Sequence, residues 1–246
     1  MLDAFAVLSV GLFSLASLAV AVHLLILAGR TGESPELLLG SSFLLMLTGN
    51  AVVTLVLGRD VGSGAVQTHV VQGAAFLLNL GFILAAVFVA RVYRRRSGWA
   101  KGLVWTLTAV LLGSQVFTWV MMDPGRAYMS HYWLKFALRN FIYLWGAVEA
   151  FQYYRLMRKR VRHGISDPVV ANRFLLWGVA SGLGALMLTA FQVGGAMGYG
   201  TASAAMWLTV GSFIGLPAAL LFWLTFFPPQ AYRRWIERYS EFAEEG

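Results

Sequence analysis

The run HYWLKFALRNFIYLWGAVEAFQYYR, residues 131–155, is apolar enough to lie in a bilayer, yet it carries Lys135, Arg139 and Glu149 within it. On an α-helix, at about 100° per residue, His131, Lys135, Arg139, Gly146, Glu149 and Tyr153 share an arc of roughly 80°. A charge at membrane depth costs about 2.5–3.5 kcal/mol on insertion scales, so such groups face protein or trapped water. One face of this segment is therefore wet or paired, and the rest is apolar.

The chain around it has the same character. Of its 246 residues 59% are hydrophobic and only 12% charged, too few charges to cover the surface of a soluble domain of this length. Apolar runs long enough to cross a hydrocarbon core of about 30 Å recur along the whole sequence. Seven are expected, at 4–29, 36–58, 68–92, 101–122, 130–156, 171–197 and 201–227. The expected architecture is an all-α, seven-transmembrane-helix bundle, one membrane domain over 1–229 followed by a tail over 230–246. The alternating short segments of a β-barrel are not visible. The start of the chain lacks the basic n-region of a removable signal and reads as the first membrane helix.

Lysine and arginine set the expected orientation. Arg94, Arg95, Arg96 and Lys101 follow the third run; Arg155, Arg158, Lys159, Arg160 and Arg162 follow the fifth; Arg233, Arg234 and Arg238 follow the seventh. The connections after the second and fourth runs hold only Arg59 and Arg126, and the one after the sixth holds none. Basic connections stay cytoplasmic, which puts the N-terminus outside and the C-terminus inside, in a plasma or inner membrane. Tryptophans and tyrosines fall into two bands near the ends of the runs, as interfacial rings do.

In the tail, Pro228 and Pro229 stop the preceding helix, and AYRRWIERYSEFAEEG begins at Ala231. Ala231, Trp235, Tyr239 and Phe242 share one face, with Arg233, Arg234, Glu237 and Arg238 around the rest. This is the pattern of an amphipathic helix in the cytoplasmic interface, basic residues toward anionic headgroups; docking to a partner is its other use. Gly178, Gly182 and Gly184 form a small-residue stripe in the sixth run, suited to close helix packing or to a contact between copies in a homo-oligomer.

A polar layer emerges when each run is centred in the bilayer. Asn50, Asn79, Gln115 and Arg139 come to similar depth on the outer side, with Lys135 and His131 above them. The neutral amides alone read as an interhelical hydrogen-bond layer. The two cations have no acid at their own depth, since Asp60 and Asp123 lie in outer connections. That pattern implies a wet cavity, an anionic ligand or bonds to carbonyl groups. Lys135, Arg139, Asn50, Asn79, Gln115 and His131 are thus the candidate ligand-binding residues. Deeper, Glu149 and His23 form a candidate proton or ion site, with snorkelling of Glu149 toward Arg155 or Arg158 as the plainer reading.

Several classes are excluded. The net charge of +8 sits in short clusters beside apolar runs, with no soluble basic domain to hold nucleic acid. There is no cysteine, and the four histidines form no metal-binding pair, so neither metal site nor cofactor is expected. Nucleophile-elbow, Walker-type and paired-aspartate signatures are lacking, so no enzymatic activity is expected. No charged residue occurs between Arg173 and Arg233, which leaves no lysine in the seventh run to carry a retinal. What remains is a receptor-like sensor or binding protein with an outward-facing cationic cavity for an anionic small molecule or lipid, and with a membrane or cytoplasmic signalling partner. A small secondary transporter and a structural subunit of a membrane complex are the alternatives.

Overall fold

The computed structural model describes residues 2–57, 64–121, 132–197 and 202–242. Among them every regular element is an α-helix: α1 (Leu2–Thr31), α2 (Ser34–Leu57), α3 (Gly64–Tyr93), α4 (Gly98–Met121), α5 (Tyr132–Arg162), α6 (Pro168–Ala196), α7 (Ala202–Phe226) and α8 (Gln230–Phe242). In lipid the backbone must satisfy its own hydrogen bonds, and long helices do so within one segment.

The helix ends follow local chemistry. α1 stops at Gly32, whose φ of 70° is the left-handed conformation a glycine tolerates, and Thr31 Oγ1 accepts the Glu33 N–H at 3.2 Å. α5 ends the same way at Gly164 (φ 66°), where the Ile165 N–H reaches back to the Arg160 carbonyl at 2.9 Å. α6 is opened by Asp167, whose Oδ1 accepts the Val169 N–H at 2.7 Å, with Pro168 at the first helical position.

Among the described residues, six helices contain stretches long and apolar enough to cross a membrane: Gly11–Thr31, Ser34–Val53, Val66–Tyr93, Gly98–Val120, Pro168–Gly194 and Thr209–Phe226. The chain is thus an all-α protein with several long apolar helices, as a multi-span membrane protein requires. α5 is not among the six. It is a continuous helix of 31 residues, about 46 Å at 1.5 Å per residue, and its charged residues, not its length, set it apart.

The chain divides into two compact units, residues 17–142 and residues 1–16 with 143–246. In the first, α2 lies along α3 through small residues. Ser42 Oγ donates to the Gly81 carbonyl at 2.8 Å, and Gly49 faces the backbone of Ala74 and Leu78. Lipid offers no hydrophobic drive for helix pairing, so close approach of this kind supplies the attraction.

In the second unit, α6 lies along α7. Trp177 stands edge-on to Phe222 and Phe226, with ring centroids 5.3 and 5.9 Å away. The small-residue stripe of α6 is used inside the chain. A Cβ at Gly178 would meet the Phe151 ring at 3.2 Å, and one at Gly184 would meet the Tyr143 ring at 3.3 Å, whereas Gly182 faces open space. α8 packs against α6: Asn172 Nδ2 donates to the Tyr232 hydroxyl at 2.7 Å, and Ile236 is buried.

Candidate functional site

The polar layer closes into a network within the unit of residues 17–142. Asn79 on α3, Gln115 and Thr118 on α4, and Lys135 and Arg139 on α5 meet there. Asn79 and Gln115 are 0% and 1% exposed, and Arg139 is 8% exposed, so these groups exchange water for one another.

Arg139 donates from both Nε (3.1 Å) and Nη2 (2.7 Å) to Asn79 Oδ1. Asn79 Nδ2 then donates to Gln115 Oε1 at 3.1 Å, and Gln115 Nε2 donates to the Gln72 carbonyl at 3.1 Å. Lys135, one turn before Arg139 and half-buried, donates from Nζ to Gln115 Oε1 (3.0 Å) and to Thr118 Oγ1 (3.2 Å). The Thr118 hydroxyl donates to the Ser114 carbonyl at 2.7 Å, and its oxygen accepts from Lys135. The Arg139 guanidinium also lies over the Phe82 ring, 5.7 Å from its centroid.

Charge fixes the direction of both amides in this network. Guanidinium and ammonium groups only donate, so each must face an amide oxygen. Asn79 Oδ1 toward Arg139 turns Nδ2 toward Gln115; Gln115 Oε1 toward Asn79 and Lys135 turns Nε2 toward the Gln72 carbonyl. Each amide oxygen accepts two hydrogen bonds, its full capacity. The acceptors of these four charged N–H bonds are all neutral. Neutral dipoles thus accept these bonds from two cations held one turn apart.

The sequence-derived site is thus assembled in part. Lys135, Arg139, Asn79 and Gln115 come together. Asn50 lies on an exposed face of α2, because equal depth does not make residues face the same neighbour. His131 lies outside the described residues, as do Asp60 and Asp123. In the deeper candidate pair, His23 is exposed on α1, while Glu149 is 2% exposed and accepts the Trp145 indole N–H at 3.1 Å. Arg139, expected to lack an acidic partner at its own depth, is met there by the Asn79 side-chain amide. Thr118 and Phe82 were not singled out in the sequence, though each lies three residues beyond a layer amide, on the same helix face.

Compared with known proteins, the chain matches no family, no curated protein and no solved structure.

Proposed function

We propose that the chain is a seven-span membrane protein, N-terminus outside and C-terminus cytoplasmic, that acts as a receptor-like sensor or binding protein for a small anion. Lys135 and Arg139 are its recognition groups. The observation that carries this reading is the pair of cations held one turn apart by four bonds to neutral acceptors. Neutral dipoles orient the two cations, so an anion reaching them is drawn by both in a poorly screened setting. Lys135, half-buried where Arg139 is buried, is the nearer group for a ligand entering from outside.

Parity supports α5 as a span. If α5 crosses, the basic clusters after α3, α5 and α7 all fall on one side of the membrane. If it does not, Arg94–Arg96 and the cluster at Arg155–Arg162 fall on opposite sides, against the usual bias of such residues.

The test is a stability titration of purified protein with chloride, sulfate, phosphate, acetate and citrate. A ligand at about 100 times its Kd raises stability by about 2.7 kcal/mol. Lys135→Met is expected to lose most of that gain, because it removes a recognition charge while Arg139 keeps its two bonds to Asn79. A gain that survives in Lys135→Met, or no gain with any of these anions, contradicts the reading.

A second reading has its own support: the same four bonds join three helices, as a structural or assembly subunit would use them. In that case Lys135→Met weakens the fold and no anion stabilises the native protein.

A further inference from the structure

We infer that α8 is a docking face for an anionic lipid surface, held to α6 by one half of its apolar arc and offering the other half to the headgroup layer. Around this helix Tyr232 and Ile236 lie within about 40° of each other, and Trp235 and Ala231 extend the arc to the far side. The first half is in use: Ile236 is buried and the Tyr232 hydroxyl is bonded to Asn172. The second half is exposed, Trp235 to 56%, with Ala231 beside it. The Trp235 ring is stacked against Tyr232, centroids 6.1 Å apart and 23° from parallel, so it is pre-set rather than free to fold away.

Charge names the occupant. Arg233 flanks the arc on one side, Arg234 and Arg238 on the other, and all three are exposed. A short helix with an exposed tryptophan between arginines matches the acyl and phosphate layers of an anionic leaflet. Position agrees: α7 ends at Phe226, and only Phe227, Pro228 and Pro229 separate it from α8, so α8 starts at the rim of an apolar span.

The chain has no cysteine, so single cysteines can carry a nitroxide directly. The full-length protein labelled at Ala231→Cys, or at Gln230→Cys as a control outside the arc, is compared in vesicles of phosphatidylcholine alone and of phosphatidylcholine with phosphatidylglycerol. Each arginine near an anionic surface favours binding about fivefold, so three together shift the docking equilibrium by about two orders of magnitude. The label at 231 should lose contact with an aqueous nickel relaxant and gain contact with oxygen in the charged vesicles. The label at 230 should stay in water, and Arg233→Gln/Arg234→Gln/Arg238→Gln should remove the difference. Equal water exposure of both labels in both vesicles overturns the inference. So does shielding that ignores lipid charge, or shielding that follows the protein-to-lipid ratio and so marks a second copy of the chain.

Discussion

Replacing Asn79 by leucine should lower the unfolding free energy by about 3 kcal/mol, the scale of a charge left at membrane depth without its acceptor. Asn79 Oδ1 takes both N–H bonds from the Arg139 guanidinium, and Asn79 Nδ2 supplies a donor to Gln115 Oε1. Leucine removes all three bonds and leaves two polar groups in a buried setting. Adding Arg139→Leu should recover part of the loss, because the cation that lost the Asn79 oxygen is gone and Gln115 still receives Lys135. The double-mutant cycle should give a coupling of about 1–2 kcal/mol between positions 79 and 139, read from unfolding equilibria in mixed micelles. Strictly additive losses would mean that the bond contributes little and that Arg139 is held by other means.

An effect of similar size is expected from a single methyl group at Gly49. A Cβ there would lie 2.7 Å from the Ala74 carbonyl oxygen, 2.8 Å from Leu78 Cγ and 3.1 Å from the Leu78 nitrogen. Two of these atoms are backbone and cannot rotate away. Gly49→Ala should therefore push α2 off α3, strain the Ser42 bond to the Gly81 carbonyl, and cost about 2 kcal/mol. Gly113→Ala is the control: nothing lies within 4 Å of a Cβ at Gly113, so its stability should stay within about 0.5 kcal/mol of the parent. A harmless Gly49→Ala would show that the α2–α3 pair does not depend on close approach.

The helices were legible in the sequence because a run of apolar residues has one solution in lipid. Their ends were less so. The fifth run was expected to stop at 156, but α5 continues to Arg162, because Arg158, Lys159 and Arg160 are good helix formers and the next stop is Gly164. The site was legible as depth, which follows from counting residues, and much less as direction, which follows from packing. Asn79, Gln115 and Arg139 share depth, with Lys135 one turn above, and the four come together. Asn50 shares the depth but faces outward, and His23 is likewise exposed. Thr118 could not be read beforehand because a threonine in an apolar helix ordinarily bonds its own backbone. Here it does so with Ser114 and uses the same oxygen to accept from Lys135.

The proposed site requires α5 to cross the membrane with two cations inside it. Glu33, in the turn between α1 and α2, and His163, just past the end of α5, are both exposed and replaceable by cysteine in a chain that has none. A membrane-impermeant maleimide, applied to intact cells and to inverted vesicles, should label Glu33→Cys and His163→Cys from the same side, the cytoplasmic one. Labelling of the two from opposite sides would mean that α5 does not cross, and would contradict both the seven-span arrangement and the buried outward-facing site built on it.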